Sequence, residues 1–149
     1  MPRLIELVQD FGAIHGGLAL DRTTGAVYQS ASSLDGTGRI VKNIHEPKSS
    51  TVIVDPNAEL LAETPLAQWE KFTVKRGDYD IDAWLLKPAG LDPTKKYPLV
   101  IDIHGGPNSW YGPGFSNFQQ ALTGAGFAVV FANPRGSGSY GREFTMAVT

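Results

Sequence analysis

The chain has 149 residues, the size of about one domain, and its 13 Lys and Arg against 15 Asp and Glu give a formal net charge of −2. This balance argues against a nucleic-acid-binding protein, which needs a basic face to neutralise phosphates. The lack of cysteine excludes disulfides, thiolate metal sites and a cysteine nucleophile.

The sequence shows no sign of membrane insertion or export. No apolar run approaches the roughly 20 residues of a membrane-spanning helix. Glu6 and Asp10 lie where a signal peptide would be apolar, so no signal peptide is predicted. These features favour a cytoplasmic protein without a membrane partner.

Residues 1–66 are predicted as a β-rich segment of short strands and turns. The runs 18–21 and 26–28 flank a loop that contains Gly25, which predicts a β-hairpin. Further strands are predicted at 39–44 and 50–54. Strands at this spacing suit a sandwich, a barrel or propeller blades, and residues 57–65 are predicted as a connector.

From residue 67 onward the pattern predicts a hairpin, a strand, a helix and a strand, and therefore an α/β class. Residues 71–75 and 79–86 alternate in polarity around Arg76-Gly77-Asp78, which predicts the hairpin. The apolar runs 98–103 and 127–132 are typical of parallel strands covered on both faces.

A helix is predicted between these two apolar runs. Ser116 and Gln119 have the spacing of a capping box, in which the hydroxyl and the amide both satisfy free N–H groups at the helix start. Gly124 and Gly126 end the helix. The face predicted to pack onto the sheet is formed by Phe115, Phe118 and Leu122.

The motif His104-Gly105-Gly106-Pro107 directly follows the first apolar run. In open α/β sheets, ligands bind at the carboxyl ends of the strands. Two glycines there let the backbone approach a substrate and present N–H groups to a developing oxyanion. An H-G-G motif in this place is the oxyanion-loop signature of α/β-hydrolases. A tight turn with a packed histidine is the alternative.

The second motif, residues 133–141, contains a literal G-x-G-x-x-G. It does not open directly from its strand as a dinucleotide-binding loop does, so a nucleotide cofactor is not predicted. Asp102, His104 and Ser139 could compose a triad on paper, but Ser137 stands where the nucleophile elbow needs its first glycine. Ser139 is therefore not predicted as a nucleophile.

No metal site is predicted. Asp78, Asp80 and Asp82 begin like a calcium loop, but Ala83 and Ala89 stand where that loop needs glycine and glutamate. The three aspartates are predicted on the solvated face of a strand. His15 and His45 have no ligand spacing around them and are predicted at the surface.

Residues from about 57 to 144 resemble the prolyl oligopeptidase family of serine peptidases, in particular its acylaminoacyl-peptidase and dipeptidyl-peptidase-like branch. One departure is Ser139, where the family often has glycine before the tyrosine. The stretches that carry the resemblance are 57–61, 83–88, 96–107 and 126–137, followed by Tyr140-Gly141 and Phe144.

The resemblance implies that residues 1–66 are the last part of a β-propeller (1–56) plus a connector, and that 67–149 are the N-terminal part of an α/β-hydrolase domain. It implies that the backbone N–H of Gly106 is the oxyanion donor, since Pro107 has none, with Gly105 and His104 beside it. Arg135 is implied to fix its loop through an ion pair, together with Pro107. Trp110 and Tyr111 follow the loop and could line the substrate site or pack at the surface.

The family's serine, aspartate and histidine lie beyond the last matching stretch. The chain is therefore expected to be a fragment with an oxyanion loop but no nucleophile, inactive alone, from a parent that cleaves peptides without a cofactor. An α/β-hydrolase esterase and a non-catalytic vestigial or binding module are the alternatives. The sheet is expected to end at residues 127–132, whose open edge would make the isolated chain poorly soluble or molten.

Overall fold

The computed structural model describes residues 13–45, 47–106 and 108–148. The chain is mainly sheet and divides into two compact units. One unit contains the described residues up to 64 together with 113–115, and the other contains 65–112 together with the described residues from 116 onward.

The first unit is a four-stranded antiparallel sheet in sequential order. The predicted hairpin is confirmed: its turn is closed by the Asp21 N–H, which donates to the Ala26 carbonyl, and by the Gly25 N–H, which donates to the Asp21 carbonyl. A short helix, α1 (Ala58–Glu63), lies in the predicted connector. The assignment of this unit to a propeller stays a prediction. The strands are β1 (Ala13–Leu20), β2 (Val27–Ser33), β3 (Gly36–Ile44) and β4 (Ser49–Val54).

The second unit contains a mixed sheet in the order β5-β6-β8-β7. The predicted hairpin β5–β6 and the predicted parallel pair β7–β8 are both confirmed. The expected open edge at residues 127–132 is wrong, because β8 lies between β6 and β7 and pairs with both. The edge is β7. The strands are β5 (Gln68–Arg76), β6 (Tyr79–Lys87), β7 (Leu99–Asp102) and β8 (Ala128–Ala132).

One face of this sheet carries the core of the second unit. Trp84 lies opposite Phe131 and Leu86 opposite Val129, and all four side chains are buried. The Trp84 and Phe131 rings stack with centroids 5.3 Å apart. Burying such aromatic surface is the main source of stability in a sheet of this size.

The prediction that β7 is covered on both faces is wrong within the described part of the chain. Along β7 exposure alternates, and Leu99 and Ile101 are 56% and 64% exposed. Their side chains leave the face that carries Phe131, because successive strand residues point to opposite faces. An apolar stripe therefore stays uncovered on this edge strand.

The helix α2 (Asn117–Gly124) begins and ends as predicted, but its packed face differs. The Ser116 hydroxyl accepts the Gln119 N–H at 3.3 Å, whereas the Gln119 side chain does not complete the capping box: it donates to Asp102 at 2.9 Å. The buried residues are Gln119 and Thr123, and Phe118 is exposed. The predicted apolar face is therefore wrong, because the helix is oriented by a polar contact. The last element is α3 (Arg142–Met146).

Candidate active site

Two loops meet beyond the carboxyl ends of β7 and β8. The β7 loop is residues 103–112 and the β8 loop is residues 133–141. Because β7 and β8 are parallel, both loops leave the same edge of the sheet. Two backbone hydrogen bonds join them: Asn108 N–H donates to the Gly136 carbonyl at 2.8 Å, and Gly138 N–H donates to the Ser109 carbonyl at 3.0 Å.

Two of the three glycines in the G-x-G-x-x-G stretch, Gly136 and Gly138, lie where the chain is closely packed. A Cβ at Gly138 would lie 2.9 Å from the Asn108 carbonyl oxygen, and a Cβ at Gly136 would overlap Val148. Gly136 also has a positive φ of 94°, which favours glycine. Close packing therefore explains Gly136 and Gly138 without a phosphate ligand.

His104 is paired with Ser137 and not with Ser139. The His104 Nε2 lies 2.9 Å from Ser137 Oγ, and the Ser137 hydroxyl donates to the Pro134 carbonyl at 2.7 Å. Because a hydroxyl has one proton, His104 must be the donor to Ser137. This pair connects the two loops, and the fully buried hydroxyl of Ser137 is out of reach of a substrate.

The triad considered from the sequence is not assembled. Asp102 accepts a hydrogen bond from Gln119 at 2.9 Å and contacts the hydroxyl of Tyr111. Ser139 is exposed in the β8 loop with a positive φ of 71°. The serine that meets His104 is thus Ser137, two positions earlier.

Asn133 is the most connected polar side chain of the site. It follows β8 directly and is fully buried. Its amide oxygen accepts the Tyr111 N–H at 2.7 Å, and its amide nitrogen donates to the Tyr111 carbonyl at 2.7 Å and to the Tyr140 hydroxyl at 2.9 Å. Sequence reasoning missed this residue. The available signal was a polar side chain directly after an apolar strand.

Tyr111 is held by packing and hydrogen bonding. Its ring lies edge-on to His104, at a centroid distance of 5.3 Å, and to Phe131, at 5.1 Å. Burial, together with the hydrogen bond to Asp102 and its charge, raises the pKa of Tyr111 to about 12. Trp110 beside it is 45% exposed. Of the two predicted substrate-lining side chains, Trp110 is therefore the more accessible.

The predicted oxyanion residues lie exposed in the β7 loop. Gly106 has a positive φ of 63°, and space for a Cβ is open at both Gly105 and Gly106. Neither glycine donates its N–H to any residue that the structure describes. Pro107 lies outside the described residues. Two unused N–H groups at the end of a parallel strand are the chemical feature that an oxyanion site requires.

Arg135 is exposed in the β8 loop, and its predicted ion pair has no counterpart among residues 13–45, 47–106 and 108–148. Its loop-fixing role stays a prediction. Contacts that do fix the loop come from Asn133 and from Tyr140, whose hydroxyl donates to Asp82 at 3.0 Å. Burial, together with Asp82, raises the pKa of Tyr140 to about 12.

The three predicted solvated aspartates differ in their surroundings. Asp82 is half-buried and forms a 2.9 Å ion pair with Lys71 as well as its bond to Tyr140, whereas Asp78 and Asp80 are exposed. In the described part of the chain no three His, Asp or Glu side chains cluster as metal ligands do. No helix among these residues is both long and apolar enough to span a bilayer.

Comparison with known proteins confirms the predicted family resemblance. Residues 113–149 match the model of the prolyl oligopeptidase family. The chain is 46% identical over 68 residues to the uncharacterized peptidase YuxL of Bacillus subtilis, covering 46% of the chain and 10% of that relative. It is 31% identical over 127 residues to dipeptidyl-peptidase 5 of Schizosaccharomyces pombe, covering 84% of the chain and 18% of that relative.

The fold is shared with a solved peptidase. Acylaminoacyl peptidase of Pyrococcus horikoshii aligns with a TM-score of 0.84 at 22% identity, over 95% of this chain and 22% of that one. The fold is therefore of the α/β-hydrolase type. The chain spans only a small part of the length of the relatives it matches.

Proposed function

This chain is related to the prolyl oligopeptidase family, and we propose that it supplies the oxyanion loop of a serine peptidase. The observation that carries the proposal is the position of Gly105 and Gly106. They are exposed at the carboxyl end of β7, and their N–H groups are unused by the described residues. Peptides are the proposed substrates, because the relatives are named as peptidases.

In this proposal Gly106 stabilises the tetrahedral intermediate of acyl transfer. A backbone N–H fixed before the reaction needs no reorganisation when negative charge develops on the substrate carbonyl oxygen. The His104–Ser137 and Asn108–Gly136 contacts hold the loop from both sides. No cofactor is needed for this chemistry, since the serine mechanism uses only side chains and backbone.

The nucleophile and its base are proposed to come from sequence that follows Thr149. The serine that meets His104 is Ser137, whose hydroxyl is buried and already donates to the Pro134 carbonyl. We therefore propose that the 149 residues alone do not form an acyl-enzyme.

The decisive experiment reads the coding sequence past Thr149 and expresses the chain with and without it. Both products are treated with a fluorophosphonate probe and assayed on fluorogenic peptides and short-chain esters. The proposal requires labelling and peptide hydrolysis by the longer product alone. Preferential ester cleavage would favour the esterase alternative, and a longer product that is neither labelled nor active would favour a binding or vestigial module.

The role of Gly106 is tested by Gly106→Ala against Gly77→Ala. Both positions have a positive φ near 60° and open space for a Cβ, so the two variants carry similar backbone strain. Moving an oxyanion donor is expected to lower kcat of the longer product by about 10²-fold, while Gly77→Ala leaves it unchanged. Equal kcat values for the two variants would refute the assignment.

A further inference from the structure

We infer that Asn133 is a positioning residue that fixes the β7 loop and so aims the N–H groups of Gly105 and Gly106. This inference rests on the proposed function for its catalytic consequence. The contact between the Asn133 side chain and the Tyr111 backbone, called the clamp below, is argued from geometry alone. Its core is the pairing of one buried side-chain amide with both backbone polar groups of Tyr111, at 2.7 Å each.

The Asn133 amide replaces a neighbouring strand at this point. An extended residue in a sheet exchanges its N–H and C=O with a neighbouring strand, and Tyr111, which lies outside the strands, exchanges both with the side chain of Asn133. The amide presents one acceptor and two donors. All are used: two on Tyr111 and one on the Tyr140 hydroxyl.

Tyr111 in turn closes the β7 loop on itself. Its ring packs against His104, the second residue of the loop, at a centroid distance of 5.3 Å, and against Phe131 of β8 at 5.1 Å. The loop is thus pinned where it leaves the strand and where it returns. Gly105 and Gly106 lie between these points without hydrogen bonds of their own to described residues, so their orientation depends on the pinned ends.

Loss of the clamp is expected to displace the β7 loop. Removing the amide leaves the partly buried N–H and C=O of Tyr111 without partners, and such groups find new partners by shifting towards water. A displacement of about 1 Å in a positioning element can cost on the order of 10²-fold in rate. The substrate-binding surface is otherwise unaltered, so the loss should appear in kcat and not in KM.

The experiment uses the product that continues past Thr149, with Asn133→Ala and the near-isosteric Asn133→Asp, which retains the acceptor and loses both donor bonds. Asn43→Ala is the matched control, because Asn43 is also buried but lies in β3 of the other unit. Hydrogen exchange of residues 104–112 is measured beside that of α2. Kinetic constants are measured on the same samples.

In the Asn133 variants the amide hydrogens of the β7 loop are expected to exchange at least about tenfold faster, while those of α2 exchange at an unchanged rate. The value of kcat is expected to fall about 10- to 100-fold, and KM to stay within about threefold. Asn43→Ala should show neither effect. Unchanged loop exchange in Asn133→Asp, or a kcat equal to that of the control, overturns the inference. If the unsubstituted protein hydrolyses nothing, the proposed function has failed, and the exchange data still decide whether the clamp exists.

Discussion

His104 donates a hydrogen bond from Nε2 to the Oγ of Ser137 at 2.9 Å, and the Ser137 hydroxyl donates to the carbonyl of Pro134 at 2.7 Å. A serine activated by histidine has the reverse arrangement, in which the histidine accepts the hydroxyl proton. The pair therefore ties the two loops together and has no nucleophilic character.

Ser137→Ala is accordingly expected to reduce stability without changing serine reactivity. Loss of the hydroxyl leaves the His104 N–H without its acceptor, at a cost of about 1–2 kcal/mol in the free energy of unfolding. Denaturant titration measures this cost, and Ser139→Ala, at an exposed position, should stay within about 0.5 kcal/mol. A fluorophosphonate adduct mapped to residue 137 would contradict the assignment.

Ser139→Gly is expected to stabilise the protein. Ser139 has a φ of 71°, and an L-residue in this region carries roughly 1–2 kcal/mol of strain. Glycine relieves it but loses more backbone entropy on folding, so the net gain in the free energy of unfolding should be about 0.5–1 kcal/mol.

The control for this gain is Ser109→Gly, an exposed loop serine whose φ is not positive. The same entropy loss applies there without relief of strain, and the variant should be destabilised. A shift of the same sign in both variants would show that φ is not the cause.

Gly138→Ala should weaken the contact between the β7 and β8 loops. Its Cβ would lie 2.9 Å from the backbone carbonyl of Asn108, which cannot move aside as a flexible side chain would. Overpacking of this kind costs about 1–3 kcal/mol, measurable by thermal unfolding. Gly105→Ala has open space for its Cβ and should be nearly neutral for stability.

Stability should fall at alkaline pH through Tyr111 and Tyr140. Their ordinary pKa of 10.0 is raised to about 12, first by burial and then by Asp102 and Asp82 respectively. The folded state holds these protons more tightly than the unfolded state. Their contribution is therefore complete below pH 10 and is lost as the pH rises through 12.

The measurement is the free energy of unfolding between pH 9 and 12.5, paired with absorbance of tyrosinate. Tyr111→Phe and Tyr140→Phe should each remove one late-ionising step and flatten the decline in stability. A decline equally steep in the double variant would assign it to other groups.

Ile101→Lys should reduce self-association of the 149-residue chain. Ile101 is 64% exposed on the edge strand β7, and a charge on such an edge opposes pairing with another chain. Light scattering should decrease. Val100→Lys, on the half-buried face of the same strand, should instead destabilise the fold, and improved solubility in both variants would show that net charge alone is responsible.

Local signals in the sequence predict much of this fold, and tertiary contacts account for what they miss. Polarity alternation locates the β5–β6 hairpin, and Ser116 and Gly126 locate the ends of α2. Periodicity carries no information on strand order, so the insertion of β8 between β6 and β7 was not foreseen.

In the candidate site, too, local features could be predicted from the sequence and distant contacts could not. The motif of two glycines could be recognised because its backbone chemistry is local. The role of Asn133 could not, since its partner Tyr111 is 22 positions away in the sequence. The side chain of Gln119 was assigned to the wrong partner for the same reason. Its amide could form a hydrogen bond at the nearby helix start or at the distant Asp102, and it donates to Asp102.

The central place of β8 also sets the order in which the chain can fold as it leaves the ribosome. The β5–β6 hairpin needs only adjacent residues and can form early, at the rate of a local turn. The strand β7 pairs, among the described residues, with β8 alone, so residues 99–102 must wait until residues 128–132 have been synthesised. During that interval an apolar segment is unpaired in the nascent chain, and this is the stage at which a chaperone is most needed.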